Sequence, residues 1–343
     1  MMKKLCKFLA VALVMCGIMA ACTGDVEDAD AAIGKKDYAT AIRKYKNAAA
    51  QGDSSAQYNL ALMYINGQGV LQDYAEAFRL FKLAAAQGNA NAQYNLAVMY
   101  SNGQGVVQDY AEAVRWYKLA AAQGVASAQY NLANMYHNGQ GVVQDYAEAF
   151  RWYKLAAAQG YAGAQYNLAF MYNNGQGVAQ DYAEAVRWYK LAAAQGVADA
   201  QNNLASMYDN GQGVVQEYAE AVRWYKLAAA QGNSSAQYNL AVMYNYGRGV
   251  VQDSAEAVRW YKLAAAQGDA DAMNNLGSMN KSGQSAVQNM VRKHMWANLA
   301  AVAGLKDGDK KRDTLASFMT PQEIAEAQKM ARECQARNFK NCD

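Results

Sequence analysis

Residues 128–160 read "AQYNLANMYHNGQGVVQDYAEAFRWYKLAAAQG". A short glycine loop separates two helical patterns. Before it, Ala128, Asn131, Leu132, Met135 and Tyr136 recur at spacings of three and four, which marks one face of a helix. After it, Tyr146, Ala149, Phe150, Tyr153, Ala156 and Ala157 form a second stripe, widened by Trp152. Alanine is a strong helix former, and its small side chain lets neighbouring backbones approach. The chain holds one proline in 343 residues, Pro321, which fits continuous helices joined by tight turns.

The pattern recurs. The dipeptide Gln-Gly stands at position 51 and again at 87, 123, 159, 195, 231 and 267, always 36 residues apart. The first glycine of the loop keeps step from Gly67 to Gly283, and Gly304 lies 36 residues after Gly268. A fixed period of this length is the signature of a repeat architecture. One helix pair cannot bury its apolar faces, whereas stacked pairs can, each touching its neighbours. The expected fold is therefore all-α, an α/α solenoid over residues 35–304 with a helical carboxyl-terminal cap over 305–343. The last unit departs from the pattern at Asn280 and Ser285 and keeps Trp296. In the cap, Thr320, Pro321 and Glu323 spell a helix start with a capping box.

The loop "GQG" before a helix could cradle phosphate or turn a corner. A phosphate site needs free backbone N–H groups at the helix start. Here Asp145 stands at the cap and Glu148 three residues on, an aspartate version of the capping box that would occupy those donors and repel an anion. The same pair recurs at Asp73/Glu76, Asp109/Glu112, Asp181/Glu184 and Asp253/Glu256, with Glu217/Glu220 as a variant. The glycines are thus read as helix stop and turn, the first of them left-handed.

The run A-x-x-N-L-A-x-M-Y-x-x-G-x-G-V followed by D-x-x-x-A-x-x-W-Y-x-x-A-A-x-Q-G resembles the Sel-1-like repeat, a relative of the tetratricopeptide repeat. The resemblance implies a right-handed superhelix of helix pairs whose first helices line the concave face. Where the family often has glycine this chain has Ala133 and its equivalents, Gly277 excepted.

Binding positions are sought where near-identical copies differ. On the first helix the position before methionine reads Val98, Asn134, Phe170, Ser206 and Val242 in successive repeats, and three residues on stand Ser101, His137, Asn173, Asp209 and Asn245. Four residues before the first of these lie Tyr94, Tyr130, Tyr166, Asn202 and Tyr238. The three positions form one i, i+4, i+7 stripe. Tyr94, Val98, Tyr130, Asn134, His137, Tyr166, Phe170, Asn173, Ser206, Asp209, Tyr238 and Asn245 are the expected lining of a groove for a peptide or protein segment. The asparagine present in every repeat, Asn131 and its equivalents, is expected to tie its helix to the neighbouring loop. The tryptophans at 36-residue spacing are expected to pack between repeats.

Residues 1–21 read as a secretory signal, with Lys3, Lys4 and Lys7 ahead of an apolar run. The run ends in small residues before Cys22, which resembles a bacterial lipobox and implies lipid attachment there. Thr23 after that cysteine implies, by the same resemblance, an outer-membrane lipoprotein or periplasmic protein, with a secreted form as the alternative. Residues 22–34 lead into the repeats. Loss of three lysines leaves 29 basic and 29 acidic residues in the mature chain. Such neutrality is a poor basis for nucleic-acid binding. Cys334 and Cys342 remain as an even pair, expected to form a disulfide in an oxidising compartment. There is no serine elbow and no metal-spaced cluster, and His137 has no companion ligand in its repeat. No catalytic, metal or cofactor site is expected. The expected function is a non-catalytic protein-interaction scaffold at the cell envelope, its membrane attachment only through the lipid. The alternatives are an envelope enzyme or cell-wall binder related to β-lactams or peptidoglycan, and a secreted effector binding host proteins.

Overall fold

A computed structural model of the chain describes residues 24–279, 286–337, 339 and 342. The expected signal segment, Cys22, Asn280 and Ser285 lie outside these residues. Among the described residues the structure is helical without strands. Helix α1 covers 24–34. It is followed by α2 (Tyr38–Ala50), α3 (Ser54–Asn66), α4 (Tyr74–Ala86), α5 (Ala90–Asn102), α6 (Tyr110–Ala122), α7 (Ala126–Asn138), α8 (Tyr146–Ala158) and α9 (Ala162–Asn174). Then come α10 (Tyr182–Ala194), α11 (Ala198–Asn210), α12 (Tyr218–Ala230), α13 (Ser234–Tyr246), α14 (Ser254–Ala266), α15 (Ala270–Ser278), α16 (Ala286–Val302), α17 (Gly308–Ala316) and α18 (Pro321–Ala336). This is the expected class of repeated α/α pairs.

The chain divides into two compact units. One comprises the described residues up to Met171 with Gly175–Ala179, the other Tyr172–Asn174 with the residues from Gln180 onward. In the first unit successive helices pack pairwise from α2 with α3 through to α7 with α8. Ala128, Gln129, Leu132, Ala133 and Met135 of α7 are buried, as are Ala149, Tyr153, Ala156 and Ala157 of α8. Asn131 and Tyr136, expected on the buried face, are only half-buried, and Gln129 and Ala133 take the interior instead. At the start of this unit Lys44 pairs with Asp25 and Asp28 of α1 at 2.7 and 2.8 Å. In the second unit α16 is central and packs against α15, α17 and α18. Gly277 is glycine for a local reason, since a Cβ there would come within 3.0 Å of the Trp296 Cβ.

The helix ends follow from the sequence. Asp145 Oδ1 accepts from the N–H groups of Ala147 and Glu148 at 2.9 and 3.0 Å, and the aspartates at 73, 109, 181 and 253 do the same. The reciprocal half of the box is not made. The Asp145 N–H donates to the Tyr136 carbonyl at 2.9 Å, so Glu148 is free to accept from Arg151 and the Trp152 indole. Glu217 makes no side-chain cap bond at all. The box at Thr320 and Glu323 is complete in both directions.

Both glycines of the loop are left-handed, with φ of +68° at Gly139 and at Gly141. Gly139 ends α7 as its αL cap. Gly141 does more, since a Cβ there would sit 2.3 Å from the Tyr110 carbonyl oxygen, at the first turn of α6 in the preceding repeat. Gly105 and Gly177 meet Tyr74 and Tyr146 in the same way, as do Gly213 and Gly249 with Tyr182 and Tyr218 in the second unit. The second glycine is the point of contact between repeats.

Candidate functional site

Every buried interior of this kind leaves polar groups to satisfy, and two ladders do so. The first joins glutamines. Gln129 of α7 donates to the Ala121 carbonyl of α6 at 3.1 Å and accepts from Gln159, at the end of α8, at 2.8 Å. Gln93 and Gln237 are held in the same way. One amide thereby bridges three helices. The sequence reading missed this ladder; its signal was a glutamine recurring inside an apolar helix face in six of the seven repeats, with Met273 in the last.

The second ladder runs under the predicted stripe. Asn131 Nδ2 donates to the Tyr117 hydroxyl of the preceding second helix at 3.2 Å, and Asn59, Asn203 and Asn275 reach Tyr45, Tyr189 and Tyr261 likewise. The invariant asparagine is structural, but its partner in these four repeats is a tyrosine and not the neighbouring loop, while Asn167 and Asn239 donate to Asn134 and Asn202 at 3.4 and 3.5 Å. The hydroxyl lies buried in reach of the amide, while the loop is held by a different residue. There, Gln144 donates to the His137 carbonyl at 2.7 Å and to the Tyr146 hydroxyl at 3.0 Å. Asn95, whose counterpart tyrosine is Phe81, donates to the Asn91 carbonyl instead.

In the first unit the stripe residues converge between α7 and α9. Asn134, His137, Tyr166 and Phe170 line a cavity of about 220 Å³ with Tyr153 and Asn167. Phe170 is 38% exposed, the most open apolar member of the group. The His137 ring lies edge-on to Tyr146 at 5.1 Å, and its Nδ1 is buried with no hydrogen-bond partner. Burial holds that imidazole below the usual histidine range, so it is neutral at pH 7. Tyr153 donates to Asn134 at 2.5 Å. Asn134 is therefore part of the floor and not a free contact. A second cavity of about 400 Å³ lies between α5 and α7, where Tyr94, Val98 and Asn134 meet Tyr110 and Tyr117. Tyr130 stacks against Tyr153 at 6.0 Å and Tyr161 at 4.8 Å, which fixes its ring as a wall.

In the second unit Ser206 is hydrogen-bonded to the buried Tyr225 hydroxyl, repeating the role of Asn134. Burial pushes the Asp209 carboxyl up, and Arg248 partly opposes this. Tyr238 packs on Tyr261 at 5.8 Å, and the Asn245 carbonyl accepts from Gln252 at 2.8 Å. Asn173 of α9 has its carbonyl held by Gln180 and its side chain by Asn174. The stripe continues one repeat further than expected. Asn274 and Ser278 of α15 line a cavity of about 570 Å³ closed by Lys293, Lys310 and Lys311, with Lys311 donating to Asn274 at 3.1 Å. The missing tyrosine and loop glycine had hidden this last copy.

The tryptophans are occupied within the fold. Trp116, Trp152, Trp188 and Trp260 donate their indole N–H to the glutamate four residues earlier at 2.8–3.2 Å. An arginine lies over the ring in each of these and over Trp224, at 4.4–5.2 Å. Those faces are closed to a stacking sugar. Among the described residues no group of three or more His, Cys, Asp or Glu could hold a metal ion.

The Sel1 repeat model matches residues 54–89, 90–125, 126–161, 162–197, 198–233, 234–269 and 270–304. Among solved structures, a protective antigen present in uropathogenic Escherichia coli strains and displaying an SLR fold is 34% identical, with a TM-score of 0.74 over 87% of this chain and 66% of its own. This chain thus spans less than two thirds of the length of that protein. A Sel1 repeat protein from Oxalobacter formigenes is 29% identical, with a TM-score of 0.61 over 76% of this chain and 99% of its own. No curated protein matches the chain. Seven matched repeats and the shared fold place the chain in the Sel1 repeat family, whose members are generally non-catalytic scaffolds for protein–protein interaction.

Proposed function

We propose that this chain is an exported scaffold of the cell envelope that captures a peptide or protein segment along its first-helix stripe. The observation that carries the reading is the cavity of Asn134, His137, Tyr166 and Phe170. It combines an exposed aromatic ring with a buried, unpaired imidazole nitrogen. An unpaired buried polar atom costs free energy that a partner's donor can recover. An aromatic anchor beside it supplies apolar contact, the usual make-up of a hot spot. Export rests on the apolar leader, lipid attachment on Cys22, and the oxidising compartment on the Cys334–Cys342 pair, whose Cα atoms lie 5.0 Å apart with the sulphurs bonded.

The test is in-cell crosslinking through a photoreactive residue at position 170. One dominant partner is expected, lost when His137→Ala is introduced and retained with Leu155→Ala, an exposed position on the second helix. No reproducible partner from intact cells, or capture insensitive to His137→Ala in a folded protein, would refute the proposal.

A further inference from the structure

In four repeats a ring of the first helix packs against a ring of the second. Tyr58 meets Phe81, Tyr94 meets Tyr117, Tyr130 meets Tyr153 and Tyr238 meets Tyr261, with centroids 5.8–6.0 Å apart. One 36-residue step beyond Tyr238 and Tyr261 stand Asn274 and Ala297. Both rings are gone there, and both replacements line the cavity of about 570 Å³ in the second unit.

The same step brings in charge. Lys293 falls on the line of Ala149, Ala185, Ala221 and Ala257, each fully buried. It is half-buried and lines the cavity, and Lys310 and Lys311 of α17 add two more ammonium groups. Among the described residues neither Lys293 nor Lys310 pairs with an acid. The acids beside them in α17, Asp309 and Asp313, are both taken by Arg312 at 2.6 and 2.8 Å. Residues 280–290 contain no Asp or Glu. Lys311 bonds only the neutral Asn274 amide oxygen, at 3.1 Å. Asp307 is the single acid in the lining, so three lysines leave an excess of two positive charges. The hydroxyls of Ser278 and Thr314 donate to the Asn275 and Lys310 carbonyls at 2.8 and 2.7 Å, which leaves the ammonium groups as the donors for a ligand. A half-buried ammonium without a counter-ion carries a desolvation cost that a bound anion offsets.

We propose that this cavity binds a small organic dianion, a phosphomonoester whose uncharged body lies against Ala297 and Leu315. Two excess charges match one phosphoryl dianion. Ammonium groups act as point charges that suit a tetrahedral phosphoryl group, whereas a planar carboxylate is matched best by a guanidinium fork. The arginine of α17, Arg312, is already tied to its two aspartates. A cavity of about 570 Å³ is of the size that holds a small molecule, well beyond bare phosphate. None of its lining residues belongs to the cavity of His137 and Phe170, so either proposal can fail alone.

The probe is phenyl phosphate, titrated into the full chain by calorimetry at pH 8, about two units above the second phosphate pKa. Saturable binding is expected, weaker by about tenfold for the monoanion benzenesulfonate. Lys293→Met keeps the stem, removes the charge and should weaken binding about tenfold or more. Asp307→Asn should tighten it, and Lys154→Met, an exposed lysine of α8, should leave it unchanged. Ala297→Tyr should restore the missing ring and abolish binding. Absence of saturable binding to the wild-type chain overturns the proposal, as does unchanged affinity in a folded Lys293→Met protein or full binding by a folded Ala297→Tyr protein. Should Ala297→Tyr fail to fold, Lys293→Met decides alone. An equal loss in Lys154→Met reduces the effect to net charge and overturns the site. Benzenesulfonate or the dicarboxylate phthalate binding as tightly as phenyl phosphate overturns the phosphoryl assignment.

Discussion

Replacing Gly141 by alanine should be far more damaging than replacing Gly139, two residues away with the same φ of +68°. Three glycines separate the two costs involved. Gly160 has φ of +87°, and a Cβ there meets nothing within 4 Å, so Gly160→Ala reports the left-handed backbone alone. That is about 1 kcal/mol. At Gly139 the new Cβ meets the Gln144 Cβ at 3.3 Å, which a flexible side chain can relieve, so the cost stays near the same ~1 kcal/mol. At Gly141 the Cβ meets the Tyr110 carbonyl oxygen at 2.3 Å and its carbon at 2.4 Å. Backbone must then move, and overpacking adds about 1–3 kcal/mol. The total is about 2–4 kcal/mol. Urea titration followed by far-UV circular dichroism gives the free energies. Hydrogen exchange then locates the loss, expected in α6–α8, because stacked repeats can open in parts. If Gly141→Ala lies within ~0.5 kcal/mol of Gly160→Ala, an interval close to the scatter of such measurements, the close approach is wrong.

Further outcomes follow from the ladders and the termini. Gln129→Ala removes two hydrogen bonds, leaving the Gln159 amide without its acceptor while the Ala121 carbonyl keeps the Gly124 N–H, and should cost about 1–3 kcal/mol in the same titration, against about 0.5–1.5 for Gln159→Ala, which removes one. Glu217→Asp should stabilise by about 0.5–1 kcal/mol, since it installs the cap that the aspartates at other repeats make. Burial depresses the imidazole of His294 as well as that of His137, with Arg312 adding to the effect at His294 and Asp313 opposing it. The unfolded chain binds those protons first, so stability is full above about pH 6.5 and falls as pH drops below it. His294→Gln, if folded, should flatten that slope in melts run from pH 7.5 to 5. Non-reducing peptide mapping should recover Cys334 joined to Cys342, and reduction should expose α18 to protease through a loss of about 2 kcal/mol.

Much of the fold was legible because the determinants are local. Helix limits, the aspartate caps and the left-handed Gly139 depend on residues within four of each other, and repetition multiplied the signal. Only half of the expected capping box formed, because the Asp145 N–H had a carbonyl partner from the preceding helix that no local pattern displays. The candidate site was legible as a stripe but not as a set of roles. Asn134 and Ser206 vary between repeats, which marked them as exposed, yet both are claimed by buried tyrosine hydroxyls.

The sequence by itself determined the period, the helix pairs, their caps and the positions that vary. Tertiary structure decided which glycine bears the stacking contact, which amides bridge helices and which stripe residues remain open. The physical reason is range. A 36-residue period tells each residue its place in the repeat, but contacts such as Gly141 with Tyr110 or Gln159 with Gln129 join residues about thirty apart across an interface. Every copy carries the same letters there, so periodicity reports that a contact exists without naming its partner.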